Sequence, residues 1–336
     1  MSDPAVAERT DSRPDPGATA TLALPVEATD VHTWAVSDDV QAPLDPEELE
    51  ATAGRASGEI SPATTLGPVH LTVADLERST TYYRSAIGLE VLAEGDGTAS
   101  FGTGDRELLV VVEEPGARPA VGYSGLYHVA LLLPERAGLA RWLAHAARDR
   151  LPLTGLSDHY VSEAIYLSDP DGHGIEVYWD RPREVWEGQV SGRMTTLPLD
   201  TQDLLSELAD PASEPFDGMP TGTVMGHVHL KVSSIPETLA FWRDSIGFAL
   251  MAEYGSQAAF LAAGGYHHHL GANTWESAGV GKAPPGTAAL RHGTIVLPDA
   301  AERDRVLARA RTHRDTDAGP MIEDPSGNAF VLAVAA

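Results

Sequence analysis

Hydrophobic and polar positions fall into a regular pattern from residue 68 onward. Val69 to Val73, VHLTV, alternates as a strand does when one face lies on a core. Asp75 stands where it can cap a helical period from Leu76 to Ile87, and Gly88 ends that period. Leu89 to Glu94, Thr98 to Phe101 and Glu107 to Glu113 then read as three strands separated by glycine-containing turns. The resulting unit is βαβββ. It recurs as a strand at Leu126 to Leu133, a helix at Glu135 to Arg150, and strands near Leu153, at Val161 to Leu167 and at Gly174 to Trp179.

A polar, proline-containing connection follows, and the pattern then starts again. GHVHLKV (Gly226 to Val232) with SSIPETLAFWRDSIGF repeats PVHLTV with ADLERSTTYYRSAIGL almost position for position. LRHGTIVLPDA (Leu290 to Ala300) stands beside LYHVALLLPER of the second unit. Self-similarity of this kind is the mark of a repeat architecture. The expected fold is α+β, with four βαβββ modules in two tandem domains, 66–183 and 223–336, joined by a linker at 184–222.

Residues 1–60 carry thirteen acidic side chains against three basic ones and are rich in Pro and Ala. They cannot bury enough apolar surface to offset the entropy of ordering, so an acidic, largely disordered extension is expected. Ala42 to Leu49, APLDPEEL, nevertheless echoes Leu197 to Leu204, LPLDTQDL, and a short helix with an Asp N-cap is expected in each.

Charge and composition narrow the function. The net charge of −26 argues against nucleic acid or an anionic membrane as partner, because phosphate binding needs clustered Lys and Arg. The absence of cysteine removes disulfides, thiolate catalysis and Cys-based metal sites, so any metal must be held by His and carboxylate. Neither a signal peptide nor a membrane span is legible, and a cytoplasmic protein is expected. The sequence allows a homo-oligomer without specifying one.

His70 and His128 occupy matching places in the first strands of modules one and two, and Glu176 lies on the last strand of module two. Pseudo-symmetry between these modules is expected to bring the three together. Two His and one carboxylate form the facial triad of non-heme Fe(II) sites.

The repeats resemble the vicinal oxygen chelate superfamily, and Ser157 to Glu176 is similar to the signature of its extradiol ring-cleaving dioxygenases. The matching residues are His159, Ile165, Tyr166, Asp169, Pro170, Gly172 and Glu176, and Ser157 is the one departure. The resemblance is to the two-domain bacterial catechol 2,3-dioxygenase group. It implies Fe(II), with Mn(II) or another divalent metal as the alternative, held by His70, His128 and Glu176. A small aromatic diol and O2 would be the substrates. His159 would move a proton, and Tyr166 would hold a substrate oxygen.

In the last module Val331 replaces Glu176 and Met321 replaces Tyr166, so the second domain is expected to be degenerate. His229, His267, His269 and His292 remain there as a candidate pocket or second site. His267, His268 and His269 are expected on a strand, with the first and third on one face. Two other readings stay open: a glyoxalase-like lyase or isomerase, with Glu107 as a fourth metal ligand, and a ligand-sequestering protein of the resistance type.

Overall fold

A computed structural model describes residues 59–212 and 214–335. Nearly all of the expected acidic extension, including the echo at 42–49, lies outside the described residues. Module one runs β1 (Val69–Val73), α1 (Leu76–Tyr82), β2 (Glu90–Gly95), β3 (Thr98–Thr103) and β4 (Arg106–Glu113). Module two runs β5 (Gly125–Leu132), α2 (Arg136–Asp149), β6 (Leu153–Asp158), β7 (Ser162–Ser168) and β8 (Gly174–Asp180). Module three has β9 (Val224–Lys231), α3 (Ile235–Leu239), β10 (Ala249–Tyr254), β11 (Ala258–Ala262) and β12 (Leu270–Asn273). Module four has β13 (Leu290–Leu297), α4 (Ala300–Ala310), β14 (Arg314–Thr316), β15 (Gly319–Glu323) and β16 (Ala329–Val334).

The local signals act as their chemistry dictates. Asp75 accepts from Arg78 N at the start of α1, and Ser234 does the same for Glu237 N at α3. Both helices end in a π-turn, Tyr83–Ile87 and Ala240–Ile246, closed by Gly88 and Gly247 in the left-handed region. Asp200 accepts from Gln202 N and Asp203 N, so the expected helix after Leu197 to Leu199 forms as Thr201–Leu205.

The sheets do not follow the expected split into consecutive halves. One sheet runs β14-β15-β16-β13-β1-β4-β3-β2, joining modules four and one; Thr65–Leu66 adds to β13 off this path. The other starts with the edge pair Leu197–Pro198 and continues β6-β7-β8-β5-β9-β12-β11-β10, joining modules two and three. In every module the first strand is an inner edge whose N–H and C=O groups need a partner. β5 finds it in β9 and β1 in β13, both antiparallel, so modules one and two share no sheet.

Modules one and two meet through their helices and turns instead. The Tyr83 hydroxyl donates to Asp169 Oδ2 at 2.9 Å, across from the π-turn that ends α1 to the Asp-Pro turn between β7 and β8. Trp142 Nε1, on α2, donates to Ile87 O at 3.0 Å. The second half repeats the first contact, with Trp242 Nε1 donating to Asp324 Oδ2 at 3.5 Å. Sheets therefore bind modules two to three and four to one, while helix–turn contacts bind one to two and three to four. Among the described residues, no helix is long and apolar enough to cross a membrane.

Asp169 Oδ1 already accepts from Asp171 N and His173 N, which leaves Oδ2 to the Tyr83 phenol. Tyr83→Phe strands that buried oxygen and should lower stability by about 1–3 kcal/mol, read as a lower urea midpoint at unchanged slope. An unchanged midpoint would remove this contact from the account of how modules one and two are joined.

Candidate metal centre

Strand register assembles the site. Glu176 on β8 lies opposite Ala130 on β5, and Ala130 lies opposite His227 on β9; Tyr166 on β7 lies opposite Glu176 on its other side. Directly opposed residues share a face, and so do residues two apart on one strand. His128, two before Ala130, therefore joins Glu176 and His227, and all three are buried.

Their donor atoms converge. His128 Nε2 and His227 Nε2 are 3.2 Å apart, and each lies 3.0 Å from Glu176 Oε2. A first-row divalent ion about 2.1 Å from three donors set at right angles would space them about 3.0 Å apart. Two imidazole nitrogens and one carboxylate oxygen also form a donor set suited to Fe, Mn or Zn. The residues thus fit a divalent metal. His227 Nδ1 is buried and makes no hydrogen bond, so that ring lacks the outer anchor a metal-ligating histidine ordinarily has. Burial raises the Glu176 carboxyl, but the charge and hydrogen bonds of His227 and His128 outweigh it and hold the group well below the usual carboxylate range.

A cavity of about 450 Å³ opens over the triad. His159 and Tyr166 line it together: His159 Nε2 is 2.7 Å from the Tyr166 hydroxyl, and His159 Nδ1 is 2.7 Å from Thr195 O. A carbonyl only accepts, so Nδ1 carries the proton, and neutral His159 accepts from Tyr166 at Nε2. Burial lowers the His159 pKa. Burial, then the Glu176 charge, pushes the Tyr166 phenol well above its ordinary value. The connection at 184–222 is more than a linker, since Met194 and Thr196 line the cavity and Leu197–Pro198 pairs with β6.

The expected triad is corrected at one member. His70 lies in the other sheet, opposite His292, with the two rings stacked at a centroid distance of 4.1 Å. Its strand β1 is the partner of β13, so it shares no ladder with His128. His227 takes that place. The signal was present in the sequence: HVHL on β9 matches HVAL on β5, which sets His227, rather than His229, in correspondence with His128. Val331 and Met321 do face each other in the other sheet as Glu176 and Tyr166 do here, within a small apolar cluster.

The remaining candidates separate. His229 lines the cavity and accepts at Nε2 from Asn273 Nδ2 at 3.0 Å. The histidine run lies in a turn before β12 rather than on a strand, and His268 is its member on the cavity. His267 donates from Nε2 to Asp180 Oδ1 at 2.8 Å, and His269 Nδ1 accepts from Ala263 N at 3.2 Å. Glu107 is exposed on β4 in the other sheet and cannot serve as a fourth ligand here. By register the module-three counterpart of Glu176 is Gly271, opposite His229. A Cβ there would stand 2.8 Å from the His229 ring.

Residues 65–177 match the Glyoxalase/Bleomycin resistance protein/Dioxygenase superfamily. The catechol-2,3-dioxygenase of Bacillus subtilis (strain 168) is 40% identical over 281 residues, covering 81% of this chain and 97% of that protein. Among solved structures, a putative dioxygenase from Bacillus subtilis subsp. subtilis str. 168 aligns with a TM-score of 0.55 at 13% identity, over 83% of this chain and 86% of that one. Glyoxalase I from Zea mays aligns with a TM-score of 0.50 at 15% identity, over 80% of this chain and 92% of that one. Both likenesses are of fold.

Burial holds His229 and His268 well below 6.5 and His269 at about 3. Unfolding lets these rings take protons that the folded state refuses, so stability is present above pH 6.5 and is lost as pH falls below it, toward about 3 for His269. Each such ring contributes a slope of up to about 1.4 kcal/mol per pH unit. The urea midpoint of chelator-stripped protein should fall steadily from pH 7 to pH 5; a flat profile would mean that these rings are not buried neutral.

Proposed function

This chain belongs to the Glyoxalase/Bleomycin resistance protein/Dioxygenase superfamily, and we propose that it is an extradiol ring-cleaving dioxygenase that opens a catechol-like aromatic diol with O2 at an Fe(II) site. The observation that carries this reading is a converged His128–Glu176–His227 triad whose fourth-ligand counterpart is Gly271. A glyoxalase-like centre was expected to need a fourth protein ligand, and neither Gly271 nor Glu107 supplies one. Similarity to a catechol-2,3-dioxygenase over most of both chains supports the same choice. For a sequestering protein His70, His128 and Glu176 would not converge; His70 does lie apart in the other sheet, but His227 completes a converged set of donors in its place, which a sequestering protein would not need.

His128, Glu176 and His227 would hold the metal, and iron(II) bound there would supply the Lewis acidity and electron transfer that let a catechol react with O2. The remaining work falls to the side chains around it. Tyr166 sits beside Glu176 with its hydroxyl donating to His159, which leaves its oxygen free to accept from a substrate hydroxyl next to the triad. His159, fixed at Nδ1 by Thr195 O, can take a proton at Nε2 from Tyr166 or from a substrate hydroxyl and return it later in the reaction. The low proton affinity that burial gives His159 keeps it in the neutral, accepting form near pH 7.

The test is anaerobic reconstitution with Fe(II), followed by catechol and then oxygen, while the visible absorbance of the yellow ring-opened product is followed. Colour should develop only with iron and oxygen together; none with any simple catechol, although iron is bound, would overturn the proposal. His159→Ala should keep its iron and lose about 10²–10⁴-fold in kcat. Full activity in that variant would remove His159 from proton transfer.

A further inference from the structure

Beside the metal centre lies an apolar cluster separate from the main core, and nothing in the ring-cleaving chemistry requires it. Val161, Trp186, Val190, Met194, Ala252, Ala258 and Phe260 form it, with Tyr254 and Trp275 packed against it. Three stretches of chain build it: the start of β7, the connection after β8, and the β10–β11 hairpin. Val161, Met194, Tyr254 and Phe260 reach the cavity. The Phe260 ring centroid lies 5.7 Å from that of His229 and 5.0 Å from that of His268, so the cluster forms the wall next to the triad. The Tyr254 hydroxyl is occupied, donating to Met194 O at 2.6 Å.

The charge of the lining is as informative as its shape. Among the described residues, neither Lys nor Arg lines the cavity, and Glu176 is its one carboxylate. Arg181, directly after β8, is held by Asp158 and Glu163, and Arg193 lies over the Tyr160 ring with its Nη1 donating to the Tyr160 hydroxyl. A carboxylate brought against this wall would be stripped of water with no cation to meet it, which is costly. The net charge of −26 adds repulsion at longer range. A cavity of about 450 Å³ falls within the roughly 300–1,000 Å³ range of small-molecule pockets and leaves room beyond the eight heavy atoms of bare catechol.

We propose that this site selects uncharged catechols bearing an apolar alkyl or aryl substituent, seated against Val161, Met194, Tyr254 and Phe260, and that it rejects catechols bearing a carboxylate. The inference rests on the ring-cleaving reading for the orientation of the diol toward the triad. It assigns specificity to residues that reading leaves without a role.

The experiment measures anaerobic binding by calorimetry to Fe(II)-loaded protein, and kcat/KM in air, for catechol, 4-propylcatechol, 3-phenylcatechol, 3,4-dihydroxybenzoate and 3,4-dihydroxyphenylacetate. The propyl or phenyl compound should bind about ten-fold or more tightly than catechol, and the two carboxylates about 100-fold more weakly than the propyl compound. Phe260→Ala should shrink the propyl-to-catechol ratio, and Met194→Arg should raise the relative affinity for 3,4-dihydroxybenzoate. Carboxylates that bind as well as 4-propylcatechol, or a propyl group that brings no gain, would overturn the proposal while leaving ring cleavage standing. The expected binding order without turnover of any catechol would uphold the selectivity and sink the ring-cleaving reading. No binding of any catechol would overturn both.

Discussion

The metal centre depends on the antiparallel ladder between β5 and β9. His128 and His227 come from different halves of the chain, and only that ladder sets them side by side with Glu176 on the next strand. A slip of one residue would turn every side chain of β9 to the other face and carry His227 away from the cavity. The ladder has irregularities between Met225 and His227 and between His229 and Leu230, on either side of the two histidines. The apolar faces of the same strands hold that register, since Val129, Leu131, Val228 and Leu230 are all buried in the main core.

Around this seam the modules are tied crosswise. Sheets join modules two to three and four to one, while the Tyr83–Asp169 and Trp242–Asp324 contacts join one to two and three to four. Asp169 therefore serves the site at a distance. It shapes the turn that starts β8, and β8 carries Glu176. The sheet of modules four and one has the same plan with other residues: Val331 and Met321 stand where Glu176 and Tyr166 stand, and His70 stacks on His292. One copy of the plan carries the converged donors, and the other carries Val331 and Met321 in an apolar cluster.

Much of this was legible in the sequence because it is local. The βαβββ units, the caps at Asp75 and Asp200 and the stop at Gly88 follow from short-range pattern and spacing, while His159, Tyr166 and Glu176 stand out through the resemblance of Ser157 to Glu176 to a dioxygenase signature. Which strands pair across modules is a long-range choice, and periodicity says nothing about it. That is why His70 looked equivalent to His128 and why His227 was passed over, although HVHL against HVAL marked it. The histidine run was misread for a related reason. Gly264 and Gly265 both take positive φ and turn the chain, so β12 begins only at Leu270 and His268 reaches the cavity. The connection at 184–222 read as polar, yet it brings Met194 and the Thr195 carbonyl to the site.

The central claim is that the metal lies between modules two and three, with His227 as a ligand and His70 as none. It is tested most directly by metal content per chain, measured by plasma mass spectrometry after Fe(II) loading and gel filtration, in His227→Ala and His70→Ala variants that keep the native circular dichroism spectrum. The account predicts that His70→Ala retains the metal of the parent protein and that His227→Ala loses it. Loss in His70→Ala with retention in His227→Ala would contradict the assignment.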